Sequence, residues 1–297
     1  MSELRFDGRV AIVTGAGRGI GRAHACLLGA RGARVVVNDL GGSIQGDGAD
    51  AQPAAVVAAE IVAAGGEAIA DAHDVSTAEG AQALAEGAIA QFGRVDALVN
   101  NAGIVRWAGF PDVDDDNLAR HLAVHVFGAF HTTRAVWPHM VERGSGRIVM
   151  TTSTGILGLP NNVSYATAKA AVIGMTRSLA TAAAPHRIAV NAIAPAAFTR
   201  MAGPEPPNAD AMAPELVAPM AAFLAHEACP VNGEVYVAGF GRFARLFLAS
   251  TAGALIERPT IEGVAQQWDA INDERGYTVP DDLMEWSTGF TAHLRAH

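Results

Sequence analysis

Short runs of β-branched and other apolar residues alternate with longer Ala-rich stretches along most of the chain. The short runs predict strands at 10–14, 34–38, 67–72, 97–100, 146–152, 187–194 and 234–238. The longer stretches predict one helix that begins at residue 20 and further helices over 53–64, 78–92, 114–142 and 165–184. Because strands that alternate with helices form right-handed βαβ units, the pattern predicts a single α/β domain with a doubly wound parallel sheet and helices on both faces.

The tail of the chain has a different pattern. It carries two further helix-like stretches, at 261–274 and 281–294, and no strand-like run. Four prolines between 204 and 214 predict a loop that interrupts the α/β pattern without ending it. We therefore expect an α/β domain over 1–243 and a helical C-terminal extension over 244–297, packed on the same domain or on a neighbouring subunit.

Composition and charge narrow the class of protein. The chain has 297 residues, of which 50% are hydrophobic and 17% are charged, as expected for a large buried core. Its net charge of -9 argues against nucleic acid and anionic membranes as partners. No leader and no apolar run of membrane-spanning length is visible, so we expect a cytoplasmic protein. The two cysteines predict no metal site, and the i, i+4 pair His121 and His125 lacks a third metal ligand, so no metal is expected.

A glycine-rich turn follows the first predicted strand and precedes the first predicted helix. Its glycines are Gly15, Gly17, Gly19 and Gly21. Such a turn lets the backbone approach a pyrophosphate closely, and the helix N-terminus offers free N–H groups to the phosphates. The sequence therefore predicts a Rossmann-like nucleotide site. The residues expected to contact the cofactor at this turn are Gly15, Arg18, Gly19 and Ile20.

The second predicted strand ends at Asp39, which comes 18 residues after Gly21. A carboxylate at this place accepts hydrogen bonds from the ribose hydroxyls of adenosine and repels a 2′-phosphate. Arg18 argues the other way, because an arginine near the turn could bind a 2′-phosphate. The carboxylate at the strand end has more weight, so we expect NAD as the cofactor. The alternative for Asp39 is a solvated aspartate in a turn.

Tyr165 and Lys169 lie four residues apart in an Ala-rich helical stretch, which places both on one helix face. A free tyrosine is a poor base at neutral pH because its pKa is about 10, and a nearby ammonium group lowers that pKa. Lys169 is the only lysine among 21 basic residues, which favours a specific role for it. Ser153, twelve residues before Tyr165, offers its hydroxyl to a substrate oxygen. These three side chains predict acid/base chemistry on an alcohol or a ketone.

Together these motifs resemble the classical short-chain dehydrogenases/reductases over residues 5–243. The matching motifs are the turn 14–21, the run 100–103, Ser153, and Tyr165 with Lys169. The resemblance implies that Tyr165 is the acid/base, that Lys169 binds the nicotinamide ribose, and that Ser153 orients the substrate. The further cofactor contacts that it implies are Asp74, Val75, Asn101, Ala102, Gly103 and Thr199. Members of this family are usually dimers or tetramers, so we expect a homo-oligomer.

A closer resemblance is to the (3R)-hydroxyacyl-CoA dehydrogenase part of the type 2 peroxisomal multifunctional enzymes, also called type 4 17β-hydroxysteroid dehydrogenases. It rests on the segments 35–42, 124–128, 191–195, 200–201 and 214–219. It implies a hydrophobic alcohol or ketone as substrate, either a 3-hydroxyacyl-CoA thioester or a steroid-like molecule.

Two positions depart from the wider family. His125 stands where the family usually has an asparagine that supports a proton relay through the lysine. A histidine either relays through water or is a packed helix residue, and the sequence leaves both open. Pro195 is followed by Ala196 where the family has glycine, and Thr199 comes one place early, which alters its reach towards the nicotinamide.

Two classes of function fit these residues. An NAD-dependent dehydrogenase or ketone reductase uses Ser153, Tyr165 and Lys169, whereas a non-catalytic NAD-binding protein has no need of all three. The substrate stays open among hydroxyacyl-CoA thioesters, steroids, 3-oxoacyl carrier proteins and terpene alcohols. A CoA thioester needs positive charge at the mouth of its pocket. The candidate arginines for that role are Arg106, Arg200, Arg242 and Arg245.

Overall fold

A computed structural model of the protein describes residues 3–202 and 208–295. The chain divides into two compact units, Met1–Arg245 and Leu246–His297. The predicted proline-rich loop falls partly on 203–207, outside the described residues. Its later, described part forms two short 3₁₀ turns, Ala209–Met212 and Pro214–Leu216.

Strands and helices alternate through the first unit as the sequence predicts. The strands are β1 (Val10–Thr14), β2 (Arg34–Asn38), β3 (Glu67–Asp71), β4 (Ala97–Asn100), β5 (Gly146–Thr151), β6 (Ile188–Ala196), β7 (Val235–Gly239) and β8 (Arg242–Leu246). The helices of this unit are α1 (Gly19–Ala30), α2 (Gln52–Ala63), α3 (Ala78–Phe92), α4 (Asp115–His121), α5 (Gly128–Arg143), α6 (Val163–Ala183) and α7 (Ala218–Ala225). Within the described ranges, none of the helices has the length and apolar character needed to cross a membrane.

The strands form one sheet in the order β3-β2-β1-β4-β5-β6-β7-β8. Every pairing from β3 to β7 is parallel, which confirms the predicted doubly wound sheet. All residues of β1 and β4 are buried, as expected for central strands covered on both faces. Because β2 and β4 flank β1, the chain leaves β1 and β4 in opposite directions and opens a crevice at their carboxyl ends.

The stretch 114–142, predicted as one helix, differs from that prediction. Between α4 and α5 the structure has a π-helical turn, Leu122–Phe127. A π turn inserts an extra residue into a helical turn and so changes which side chains face the interior. His125 lies in this turn and is only 4% exposed.

Helices follow the sheet in the tail, as predicted, but two details of the tail differ from the prediction. The strand β8 (Arg242–Leu246) crosses its predicted start, and an isolated bridge joins Ser250 to Thr278. The helix expected over 261–274 is divided into α8 (Ile261–Gln266) and α9 (Trp268–Ile271), followed by α10 (Leu283–Phe290) and the 3₁₀ turn Ala292–Arg295. The sequence pattern also does not predict α7.

The second unit lacks a buried core among its described residues. None of its described side chains reaches full burial, and large apolar side chains such as Ile261 and Leu283 are 86% and 71% exposed. Stacked ring pairs, Phe247 with Tyr277 and Trp286 with Phe290, supply the aromatic contacts within this unit. A segment of this size without a core has little surface burial to offset its loss of conformational entropy.

His24 is a polar residue in the core of the first unit. It lies in α1 among small and apolar residues and is only 1% exposed. Neither ring nitrogen has a hydrogen-bond partner within the described part of the chain. Burial lowers the pKa of His24 from 6.5 to about 4, because a charged imidazolium is poorly tolerated there.

This burial predicts acid sensitivity. The folded pKa of His24 is below its unfolded value, so the unfolded state binds the proton first. The free energy of unfolding should therefore be highest above pH 6.5 and decline as the pH falls towards about 4, by on the order of 3 kcal/mol in all from this residue. Denaturant unfolding at several pH values, with His24→Leu beside the parent, measures this.

The matched control is His293→Leu, because His293 is exposed. We expect His24→Leu to flatten the decline of stability with acid and His293→Leu to leave it unchanged. Equal slopes in the parent and in His24→Leu would refute the assignment.

Candidate active site

A cavity of about 430 Å³ lies at the carboxyl ends of the strands, in the crevice between the loops that follow β1 and β4. Ligands of open α/β sheets bind in this kind of crevice. The predicted residues that line it are Gly15, Arg18, Gly19, Ile20, Asp39, Asp74, Val75, Asn101, Ala102, Gly103, Tyr165, Lys169 and Thr199. The volume is in the range of sites for small molecules and cofactors.

The glycine turn is packed tightly against the loop after β4. Gly15 has a φ of +62°, and a Cβ on it would lie 2.7 Å from Ala102 Cα. The Asn101 Nδ2 group donates to the backbone oxygens of Thr14 and Gly15, each at 3.0 Å. At Gly21 a Cβ would lie only 2.1 Å from Gly15 O. The turn therefore leaves its backbone bare at the N-terminus of α1, which is the form of a phosphate cradle.

Asp39 is held at the end of β2 by two backbone amides. Its Oδ2 accepts from Gly17 N at 2.8 Å, and its Oδ1 accepts from Gly41 N at 2.7 Å. The side chain also borders the cavity. Each carboxylate oxygen keeps a further lone pair, so the group is oriented and still able to accept hydrogen bonds from a ribose.

The loop after β3 closes the same end of the cavity. Asp74 Oδ1 accepts from Ser76 N at 2.9 Å, which fixes the turn that leads into α3. Val75 is 6% exposed and lies against the backbone of Gly128 in α5. His73, which the sequence did not single out, lines the cavity and contacts Asp71 at 2.7 Å. The apolar and acidic groups here are suited to an adenine ring.

Tyr165 and Lys169 lie on the first turns of α6. The helix begins after Asn162, whose side chain accepts from Tyr165 N at 3.3 Å. Lys169 is 4% exposed, and its Nζ donates to Thr151 O at 2.8 Å. Burial lowers the pKa of Lys169 to about 7. The Nζ atom lies 5.7 Å from the centre of the Tyr165 ring, so the two side chains are neighbours at the cavity wall.

The sequence predicts that Lys169 lowers the pKa of Tyr165, but in the protein without a cofactor another effect is larger. Burial raises the pKa of Tyr165, and a hydrogen bond with Ser153 opposes it. The physical reason is that the phenol is buried, and burial disfavours the charged phenolate. Tyr165 is therefore a phenol at neutral pH, ready to donate a proton.

Ser153 contacts the site through Tyr165 and is not among the residues that line the cavity. It follows β5 and caps the 3₁₀ turn Thr154–Leu157, where its Oγ accepts from Gly155 N at 3.0 Å. Its hydroxyl thus has a fixed place beside the tyrosine hydroxyl. The neighbouring Thr152 instead uses its hydroxyl to bind Lys169 O at 2.7 Å.

The π turn directs His125 towards Tyr165. The two rings meet edge to face with centres 5.4 Å apart. The His125 Nε2 atom lies 2.9 Å from Ile104 O, while Nδ1 is buried and has no partner among the residues described. Burial and the charge of Lys169 hold the pKa of His125 well below 6.5, so its ring is neutral.

A small cavity of about 10 Å³ adjoins His125, Thr151 and Lys169. The hydroxyl of Thr151 is buried and, like His125 Nδ1, has no hydrogen-bond partner among the described residues. This is about the space that one water molecule needs. The Nε2 atom of His125 is therefore packed against Ile104, as the alternative of a packed helix residue predicts. A proton relay through water, the other alternative, stays a prediction, and it would use Nδ1.

His121 does not act with His125 as a metal ligand pair in this arrangement. Its Nδ1 donates to Asn117 O at 2.8 Å, and its Nε2 accepts from Arg106 N at 3.3 Å. In the ranges 3–202 and 208–295, no group of three or more His, Cys, Asp or Glu side chains is placed to hold a metal ion.

The arginines proposed for a CoA group differ in their surroundings. Arg106 pairs with Asp47 and Asp116. Arg245 pairs with Glu234, and Arg242 is exposed on β8. Arg200 alone of these four lines the cavity, beside Thr199. Thr199 lies over the glycine turn, since a Cβ on Gly19 would be 3.4 Å from its methyl group.

Sequence reasoning missed several residues of the cavity wall. Arg120 reaches it from α4 and donates to Gly46 O at 2.7 Å, which fastens the loop after β2. Ile104 and Val124 add apolar surface. Nothing in the local sequence marks these residues, because their role depends on loops that meet only in the folded chain.

The close contacts of the glycine turn predict a sharp effect of one methyl group. Gly21→Ala should lower the free energy of unfolding by about 1–3 kcal/mol and weaken the binding of adenine dinucleotides at least about tenfold, because the turn must open. Calorimetric titration and denaturant unfolding measure both.

Gly174→Ala in α6 is the control, because Gly174 is exposed and has open space around it. That change should raise stability by about 0.5–1 kcal/mol and leave binding alone. If Gly21→Ala changes stability and nucleotide binding in the same way as Gly174→Ala, the assignment of the glycine turn as a phosphate site is wrong.

Comparison with known proteins places these motifs in a family. Residues 9–208 match the family model described as short chain dehydrogenase. The chain is 40% identical over 295 residues to peroxisomal multifunctional enzyme type 2 of Mus musculus. That match covers 97% of this chain but only 40% of the mouse enzyme, so the chain spans less than half of that relative's length.

Two solved structures share the architecture. A short chain dehydrogenase from Mycobacterium avium has a TM-score of 0.78 and 38% identity, over 90% of this chain and 95% of that one. A 7α-hydroxysteroid dehydrogenase complexed with NADH and 7-oxo glycochenodeoxycholic acid has a TM-score of 0.72 and 33% identity, over 81% of this chain and 98% of that one. The chain with this glycine turn and this tyrosine–lysine pair belongs to the short-chain dehydrogenase/reductase family of oxidoreductases.

Proposed function

We propose that this protein interconverts a secondary alcohol and a ketone, with NAD as the cofactor and Tyr165 as the acid/base. The observation that carries the proposal is the placement of Tyr165 between the Ser153 hydroxyl and the buried Lys169 at the wall of a nucleotide-sized cavity. A protein that only bound a nucleotide would have no use for a buried lysine, which costs stability.

The residues present fit a nicotinamide dinucleotide. Gly15 and Gly21 let the backbone of the turn pack closely on itself and on Ala102, and the backbone N–H groups at the start of α1 are then available to a pyrophosphate. Asp39 is suited to the adenosine ribose, and Asp74 with Val75 to the adenine. The oriented carboxylate of Asp39 favours NAD over NADP, since it repels a 2′-phosphate. The related steroid dehydrogenase is complexed with NADH, which supports a nicotinamide cofactor here.

The chain's own residues supply the proton chemistry. The nicotinamide, when bound, supplies the acceptor or donor of hydride. In reduction, Tyr165 donates its phenolic proton to the ketone oxygen as that oxygen becomes an alcohol. In oxidation, the phenolate takes the alcohol proton, and Ser153 holds the substrate oxygen by a hydrogen bond in both directions. Lys169, cationic when its Nζ is protonated, stabilises the phenolate.

The proposed substrate is hydrophobic, either a 3-hydroxyacyl-CoA thioester or a steroid-like alcohol. The first follows from the resemblance of the segments around β2, the π turn and β6. The second is supported by the related 7α-hydroxysteroid dehydrogenase. Of the arginines considered for CoA, Arg106 and Arg245 are already paired with carboxylates, which weakens a CoA site built on them. Other ketones, including 3-oxoacyl carrier proteins and terpene ketones, are the alternative substrates.

The packing of the tail, the oligomeric state and the cellular location remain predictions. The exposed apolar side chains of the second unit suit a surface covered by a neighbouring subunit, as in a dimer or tetramer. Light scattering of the full chain measures the oligomeric state, and a monomer would contradict the proposal.

The cytoplasmic location expected from the sequence is likewise a prediction, which fractionation of cells that express the full protein tests.

Replacing Tyr165 by Phe tests the mechanism. Tyr165→Phe removes the proton donor and keeps the ring, so turnover should fall by at least about a thousandfold while NADH binding stays within about twofold. The measurement is the rate of NADH oxidation together with NADH binding by fluorescence. Tyr236→Phe is the control, because Tyr236 lies in β7 away from the cavity lining. Turnover that survives in Tyr165→Phe contradicts the assignment.

A two-by-two assay tests the substrate and the cofactor. A 3-oxoacyl-CoA and a 17-ketosteroid are each offered with NADH and with NADPH, and initial rates are compared. Oxidation of NADH with the thioester alone supports the hypothesis that the substrate is a hydroxyacyl-CoA. Turnover of the ketosteroid alone excludes the hydroxyacyl-CoA hypothesis and leaves the proposed catalytic residues unaffected. A preference for NADPH contradicts the role given to Asp39.

A further inference from the structure

Among the residues that the structure describes, no carboxylate forms an ion pair with the guanidinium group of Arg18. It follows Gly17 in the glycine turn and is the residue before α1, where its side chain makes no capping hydrogen bond. Its side chain lines the cavity, and its Nη1 atom is buried without an acceptor among the described residues. A buried charged donor without an acceptor is costly, and an anion bound in the cavity would remove that cost.

Arg200 lines the same cavity from the segment that follows β6. It follows Thr199, which lies over Gly19, and it begins a 3₁₀ turn after β6. Its Nη2 donates to Gly42 O at 3.3 Å, so the side chain bridges from the segment after β6 to the loop after β2.

The two guanidinium groups are close enough to affect each other. Burial lowers the pKa of Arg200 most, the charge of Arg18 lowers it further, and the charge of Asp39 opposes both. Asp39 forms no ion pair with either arginine in the part of the chain described, and its oxygens accept from Gly17 N and Gly41 N instead. A local excess of positive charge therefore remains in a protein whose net charge is -9.

The position of the pair favours a pyrophosphate over a 2′-phosphate. Arg18 belongs to the turn at the N-terminus of α1, where backbone N–H groups and the helix dipole already attract phosphate. Asp39 borders the ribose end and would repel a phosphate attached there. Guanidinium groups bind phosphate oxygens in pairs of parallel hydrogen bonds, which suits two arginines on the two sides of one diphosphate.

We propose that Arg18 and Arg200 form a clamp that binds the diphosphate of the cofactor from two sides, in addition to the glycine cradle beneath it. This inference rests on the proposed nucleotide function of the cavity. It assigns Arg200 to the cofactor and removes it from the candidates for a CoA site. It also gives Arg18 a role that does not require NADP.

Binding of nucleotide fragments tests the clamp without any turnover. Calorimetry compares AMP, ADP and 2′,5′-ADP on the parent, Arg18→Gln, Arg200→Gln and the control Arg143→Gln, which removes the same charge from an exposed site on α5. The parent should bind ADP about tenfold or more tightly than AMP. Each clamp variant should lose most of that advantage and change AMP binding by less than about threefold, and Arg143→Gln should behave like the parent.

Several outcomes separate the possibilities. Equal losses for AMP and ADP in the clamp variants would mean a structural role and overturn the proposal. Tight binding of 2′,5′-ADP that disappears in Arg18→Gln or Arg200→Gln would assign the pair to a 2′-phosphate and also overturn it. A parent that binds none of the fragments and no NADH removes the proposed function itself. Arg200→Lys, which keeps the charge, should restore part of the ADP advantage if Arg200→Gln unfolds.

Discussion

The burial of Lys169 is the constraint on which the site depends. Its Nζ donates to Thr151 O at 2.8 Å, and Thr152 Oγ1 donates to Lys169 O at 2.7 Å. These two bonds run in opposite directions between the end of β5 and α6, so they fix the helix on the strand. Tyr165, one helical turn earlier, is placed by the same attachment. A buried ammonium is unfavourable, and the proposed proton chemistry at the cavity would account for its retention.

The parallel sheet brings the other groups to this pair. Since β1 and β4 end side by side, the glycine turn and the loop of Asn101 meet, and Asn101 Nδ2 joins them by two hydrogen bonds. The π turn then brings the His125 ring edge to face against the Tyr165 ring. The glycine turn and the Tyr165–Lys169 pair are thus parts of one framework, so a shift in either one would displace the other.

Features that depend on neighbouring residues in sequence were predictable, and features that depend on distant contacts were not. The spacing of Tyr165 and Lys169 fixes a shared helix face, and alternating strands and helices fix the parallel sheet. The π turn places His125 Nε2 at 2.9 Å from Ile104 O, a contact between distant residues that no local pattern encodes. The rise in the pKa of Tyr165 in the protein without a cofactor comes from burial by the whole fold, which no local pattern of residues encodes.

The direct test of this account is the titration of Lys169 by NMR. Because it is the only lysine in the chain, protein labelled with ¹³C at the lysine ε carbon gives a single side-chain signal from this residue. The account predicts that the free protein titrates at a pKa of about 7. A midpoint at the ordinary lysine value of 10.5 would mean that the ammonium is solvated, and it would contradict the buried pair on which the proposed chemistry rests.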